Sequence, residues 1–248
     1  MTLAFSESSP GDAKEQPGRT TEVPFVRKDD RFYFTNVVFL VESTLFRVPK
    51  HVFVNESDVF RQMFELPVPD GVEVDGCSDE RPLRLDLIKQ DDFKQLLKAL
   101  LPDPRNPQNN PKSPSDWISV LKLSTMWDFA RIKTQAIGSL KSLTMDPIDK
   151  ICLARDYHVT EWIVPTMNDL AKRKEPIGMK DVEKIGIELG LRIAAIREGI
   201  VYTAGNSNYN GNHQSPAVGA RDASNIDFTR AIEALLSWDP DVLSRSKP

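Results

Sequence analysis

Three histidines (His51, His158, His213) and two cysteines (Cys77, Cys152) are the residues of this chain best suited to hold a metal or attack a substrate. A metal site needs several donors at short spacing, as in His-Glu-x-x-His. No histidine here has a Cys, Asp or Glu at ligand spacing on its own element, and two cysteines are too few for a zinc site. Cys152 sits on an apolar helical face, where a thiol packs rather than reacts. Acyl transfer would call for a G-x-S-x-G turn, and nucleotide binding for G-x-G-x-x-G or G-x-x-x-x-G-K-[ST]; the sequence has none of these. Asp29-Asp30 and Asp91-Asp92 open expected elements, where carboxylates complement a helix dipole or face water. The basic triplet Lys172-Arg173-Lys174 falls at a helix end, where the dipole alone favours cations, and it reads as a solvated helix end. No catalytic residue, cofactor or metal is expected. An enzyme would need a convergent polar pocket that the sequence does not display.

Composition narrows the class further. The chain has 248 residues, is 40% hydrophobic and 27% charged, and carries a formal net charge of -4. That suffices for a packed core, and it supplies no global basic field to hold nucleic acid through its phosphates. No apolar run is long enough for a membrane span. Met1 to Pro24 is acidic and polar, unlike a secretory signal, and two distant cysteines suit a reducing compartment. The expected location is intracellular, cytoplasmic and/or nuclear, with neither nucleic acid nor membrane as partner.

Residues 1–28 are poor in large apolar side chains and are expected to form a disordered tail. Phe32 to Val41, FYFTNVVFLV, reads as a well-buried strand, turning at Glu42-Ser43 into a second strand over Thr44 to Val48. Val52 and Phe53, then Phe60, Met63 and Phe64, have helical spacing, with Asn55 and Ser57 as candidate caps and Pro67 and Pro69 as terminators. Leu83, Leu85 and Leu87 alternate with polar residues, the period of a half-buried strand. Phe93, Leu96, Leu97, Leu100 and Leu101 return to helical spacing. Residues 102–114 hold five prolines in thirteen positions, an exposed loop insertion.

From there the pattern is helical only. Ser113-Pro114 with Asp116 starts one helix (Trp117, Val120, Leu121, Ser124), and Phe129, Ile132, Ala136, Ile137, Leu140 and Leu143 mark the next. Asp146-Pro147 opens a third, through Ile148, Ile151, Cys152 and Tyr157; Thr160 starts a fourth, with Ile163, Met167, Leu170 and Ala171. Lys180 to about Ile200 forms a fifth. Residues 203–225 read as a flexible linker, and Phe228, Ile232, Leu235, Leu236 and Trp238 as one amphipathic helix, expected first to pack back on its own domain and second to fill a groove on a partner through Phe228 and Trp238. The fold class is therefore α+β over 29–145, an all-α extension over 146–200, and over 201–248 a linker with one short helix.

Asn36 to Pro67, NVVFLVESTLFRVPKHVFVNESDVFRQMFELP, resembles the opening of a BTB/POZ domain. Phe46-Arg47-Val48-Pro49-Lys50 stands where that family has Phe-x-Val-His-Lys, and Ser57, Phe60, Met63 and Phe64 stand at its Ser-x-x-Phe-x-x-Met-Phe signature. Leu83 to Leu101 resembles the family's next strand and helix, and Asp116 to Leu143 its closing helical hairpin. Asp146 to Ile177, with IGIELGLRIAAIREG after it, is similar to a helical extension of BTB proteins in mushroom-forming fungi. The resemblance implies a short mixed sheet flanked by a helical cluster.

It also implies a function: a non-enzymatic protein–protein interaction module, self-associating as an adaptor or scaffold. The implied interaction residues are Val52, Phe53, Phe60, Met63, Phe64, Asn36 and Lys50. Packing under the hairpin is the expected role for at least two of Phe60, Met63 and Phe64. Homodimerisation would bury the first helix and the hairpin. The main alternative is a substrate adaptor of a cullin-based ubiquitin ligase, although Pro69 to Pro82 lacks the hydrophobic-x-Glu motif that often accompanies it. A nuclear transcription-associated scaffold, or an enzyme with an unrecognised site, ranks lower. Asn36 replaces an Asp common in the family and Pro49 a His. The charged pocket that some relatives build from that Asp and a base therefore keeps only Lys50 here, and peptide binding there does not carry over.

Overall fold

The computed structural model describes residues 26–67, 71, 74–205, 223, 225–239 and 241–245. Most of the expected tail, His213 and the middle of the expected linker lie outside them. The chain divides into two units, one ending at Phe34 and the other running from Thr35.

In the first unit, the Asp29 carboxylate accepts from the backbone N–H groups of Arg31 (2.9 Å) and Phe32 (2.7 Å). An Asp that captures the amides two and three residues on makes a turn, and the local bonds compete with a strand ladder. The expected buried strand therefore does not begin at Phe32. Phe32, Tyr33 and Phe34 are 67%, 55% and 57% exposed.

The second unit opens with the hairpin of β1 (Asn36–Val41) and β2 (Thr44–Pro49), paired antiparallel from Val41↔Thr44 to Asn36↔Pro49. A two-residue strand, β3 (Leu83–Arg84), pairs parallel with β1, so the sheet order is β2-β1-β3. Val37, Phe39 and Val41 on one face of β1, and Val38 on the other, are all buried. Cover on both faces explains why β1 reads as a continuous apolar run. Gly76 makes the loop before β3 possible: its carbonyl accepts from the Val38 N–H at 2.9 Å, its φ is +85°, and a Cβ would sit 2.8 Å from the Val37 side chain. The expected alternation to Leu87 breaks early. Leu87 is wholly exposed at φ +63°, a turn residue rather than a strand residue.

Helices α1 (Lys50–Glu56), α2 (Asp58–Glu65) and α3 (Gln90–Leu100) join the sheet to the hairpin of α4 (Pro114–Met126) and α5 (Ala130–Ser142). Of the two candidate caps for α2, Ser57 is the one used. The start of α4 is the expected capping box, with Ser113 Oγ accepting from the Asp116 N–H and the Asp116 carboxylate from the Ser113 N–H. The aromatic centre of this half is Phe39, whose ring lies 4.9 Å from Phe53, 5.8 Å from Phe60 and 5.5 Å from Phe93.

The extension consists of α6 (Pro147–Asp156), capped by Asp146, α7 (Ile163–Lys172), α8 (Met179–Ile185), α9 (Ile187–Gly205), α10 (Thr229–Trp238) and α11 (Val242–Arg245). Three expectations are corrected. The single helix over 180–200 is two helices, divided at Gly186, whose φ of +85° no other residue type adopts readily. The second of them continues through residues 203–205 of the expected linker. The closing segment holds two helices rather than one. The apolar cluster nevertheless runs unbroken from β1 to α11.

Candidate interaction surface

The structure divides the seven implied interaction residues by depth. Phe53 and Phe60 are 0% and 2% exposed. Their rings lie 5.0 Å apart, each 5.8 Å from Phe129, with Phe60 also 5.4 Å from Trp127. Both are core residues, and neither is available to a partner. Val52, Met63 and Phe64 are half-buried on α1 and α2, and Asn36 is exposed at the start of β1, across from Pro49.

Lys50 packs on α2. Its Nζ lies 4.4 Å from the Phe64 ring centroid, a cation–π contact that holds the side chain on α2. Its backbone N–H donates to the Thr35 carbonyl at 2.9 Å, which places the first turn of α1 directly after β2.

The side chains best placed for contact are ones the sequence reading passed over. Val59 and Leu66 are 44% and 65% exposed, and with Met63 they recur at i, i+4 and i+7. That spacing lines up Val59 and Met63 on α2 with Leu66, the residue that ends the helix, in one stripe beside the face that carries Phe60 and Phe64 inward. The signal was present in the sequence, but the aromatic signature dominated it. Polar groups border the stripe: Arg61 pairs with Asp58 at 2.6 Å, and Arg131 on α5 reaches Glu56 at 2.8 Å. An apolar centre with a polar rim is the arrangement protein interfaces use, whereas such exposed ion pairs add little stability.

Elsewhere the titratable groups are engaged in structure. Burial would raise the Asp92 pKa, but hydrogen bonds from Lys122 (2.9 Å) and Ser119 (2.6 Å) outweigh it and hold the carboxyl below its usual range. Those bonds tie α3 to α4. Burial pushes the Cys152 thiol up, away from the reactive thiolate. His51 lies exposed on α1, and His158 is exposed at φ +56° in the turn after α6.

Within the basic triplet, Arg173 departs from the solvated helix end that was expected, while Lys174 is exposed. Arg173 forms an ion pair with Asp181 in which both side chains are less than one-fifth exposed, and that pair lowers the Asp181 pKa. Among the described residues no group of three or more His, Cys, Asp or Glu is placed to hold a metal ion. No helix among them is long and apolar enough to cross a membrane.

A family model for the BTB/POZ domain matches residues 27–143. No curated protein matches the chain. The match ends with α5, so the sheet, α1–α5 and the α2 stripe all fall inside it. BTB/POZ domains are in general interaction modules rather than enzymes; they bind protein partners and often dimerise. With its three-stranded mixed sheet, its helical cluster and its surface helix presenting apolar side chains, the segment 27–143 of this chain is a BTB/POZ domain, a protein–protein interaction module followed by a helical extension.

Proposed function

We propose that the chain is an adaptor or scaffold that associates with a second copy of itself through the α1–α2 face and recruits another protein through its remaining surface. The observation that carries this reading is the apolar stripe of exposed Val59 and Leu66 with the half-buried Met63 between them, anchored from below by the buried Phe60. Fully burying one such side chain is worth roughly 1.5–3 kcal/mol, and nothing within the described fold draws that benefit from Val59 or Leu66. Asn36 and Val52 extend the same reading toward the hairpin. Phe53 and Phe60 support it as packing that holds α2 rigid.

Light scattering over a range of concentrations tests the proposal. The wild-type chain should approach twice the single-chain mass. The double substitution Val59→Glu, Leu66→Glu should stay at single mass with an unchanged circular dichroism spectrum. A wild-type chain that keeps single mass up to high micromolar concentration would sink the self-association reading.

The same stripe favours a second reading, a substrate adaptor docking on a cullin scaffold. α2 follows the Ser-x-x-Phe-x-x-Met-Phe signature and offers an apolar helix face, although residues 69–82 lack the accompanying motif. Calorimetric titration with a cullin N-terminal domain separates the two readings. Submicromolar affinity abolished by Leu66→Glu would favour the ligase adaptor, and no heat at high micromolar concentration would exclude it.

A further inference from the structure

We infer that the groove between α7 and α9 is a receptor for one amphipathic helix, the α10 segment of this chain, and that a second copy can supply that segment in trans. The helix is held in three ways. Its apolar anchors are deep: Phe228 and Ile232 are each 1% exposed, and Val242, after the helix, is 0% exposed. Its leading end is fixed by the Phe228 N–H, which donates to Asn168 Oδ1 on α7 at 2.9 Å. Its trailing end is fixed by Asp239, whose carboxylate accepts from Arg192 Nη2 on α9 at 2.8 Å, with both side chains less than a quarter exposed. Arg192 also pairs with Glu188 at 2.7 Å and lies 5.3 Å from the Trp238 ring centroid.

The receptor is shaped to be covered. On α7, Ile163, Thr166, Met167, Leu170 and Ala171 are all buried, an arc too wide for one neighbour to bury. α9 closes part of it, α10 lies against α7, and α11 lies against α9. α6 also packs on α7, so without α10 the part of the arc that α6 and α9 leave would face water.

The occupant reaches the groove only through residues 206–222, a stretch rich in Asn, Ser and Gly. Because one chain carries both groove and segment, docking in cis is intramolecular and prevails in dilute solution. The contact itself does not require that the two share a chain. Phe228 and Ile232 as anchors, an amide for Asn168 and a carboxylate for Arg192 form a specific match, and a second copy carries all of them. Exchange of an identical element between protomers is a low-cost route to association. This contact shares no residue with the α1–α2 face, so either can fail while the other stands.

A fluorescent peptide of residues 223–245 is titrated against the full-length chain and its Phe228→Asp variant, whose own helix is displaced. The peptide should bind the variant at least tenfold more tightly than the wild type. Equal affinity, or no binding to a variant with a wild-type circular dichroism spectrum, would overturn the inference. If Phe228→Asp does not fold, charge reversal serves instead: Arg192→Asp chain should bind a peptide carrying Asp239→Arg more tightly than the unaltered peptide, and the reverse preference would overturn it. For exchange between copies, tagged Phe228→Asp chain is mixed at high concentration with untagged chain, both also carrying Val59→Glu and Leu66→Glu to remove the α2 contact. Retention of the untagged chain is expected, and its absence would restrict the groove to its cis occupant.

Discussion

Ser57 Oγ donates to the backbone carbonyl of Trp127 at 2.5 Å and at the same time accepts from the Phe60 N–H at 3.1 Å. One buried hydroxyl thus caps α2 and fastens its first turn to the end of α4, seventy residues away. Only a group that both donates and accepts can do this. Ser57→Ala should therefore cost more than an ordinary cap, about 2 kcal/mol, since a part-buried carbonyl also loses its donor. Urea denaturation of the two chains measures the difference. A loss below about 0.5 kcal/mol would mean the carbonyl finds another donor.

Arg197 offers a second stability test. Its guanidinium, 5% exposed at residue level, donates to the carbonyls of Leu170 (2.9 Å), Arg173 (2.7 Å) and Glu175 (2.9 Å). A planar fork spanning the end of α7 has no equivalent in an ammonium group. Arg197→Met should lower stability by about 3 kcal/mol, and Arg197→Lys should recover less than half of it. Thermal melts with full recovery by lysine would refute the fork argument.

Leu87 should be improvable. It is wholly exposed and held at φ +63°, a conformation in which Asn is several-fold enriched over Leu and which a non-glycine residue enters at a cost. Leu87→Asn should raise the melting temperature by a few degrees, about 1 kcal/mol, without altering the spectrum. A lower melting temperature would indicate that the leucine packs on a partner copy present in the sample.

Acid should weaken the α3–α4 contact through Asp92. Burial works against its charged form, yet the bonds from Lys122 and Ser119 leave its folded pKa below the unfolded value near 3.9. A lowered carboxylate pKa contributes stability that is complete above the unfolded value and lost as pH falls through the folded one. Asp92→Asn should therefore be less stable than wild type at pH 6, with the gap closing as pH falls below about 4. A gap independent of pH would assign the effect to packing.

The parts of this fold legible in the sequence are those fixed by local chemistry. Ser113 with Asp116, Asp146 before Pro147, and the turn at Glu42-Ser43 each state their structure within a few residues. The readings that failed did so where a local bond or a distant partner intervened. Asp29 diverts Phe32–Phe34 from the strand, Gly186 divides a helix whose apolar spacing continues across it, and Asp181 removes Arg173 from the basic surface. The candidate surface was half legible. Phe60 and Val59 are adjacent on α2 and similarly apolar, and only tertiary packing decides that one lies inside and the other outside.

The unbroken apolar cluster from β1 to α11 bears on how the chain is made. Residue 143 closes the BTB/POZ match but not the core, for Ile148, Ile151 and Ala154 on α6 belong to the same cluster as Phe39 and Phe129. Tyr157, at the end of α6, lies within electrostatic reach of Lys122 and Asp92 at the α3–α4 seam. A nascent chain that has emerged only through α5 thus carries an uncovered seam until the extension follows. A chain ended at residue 143 is therefore expected to be cleaved by a protease faster than the full chain.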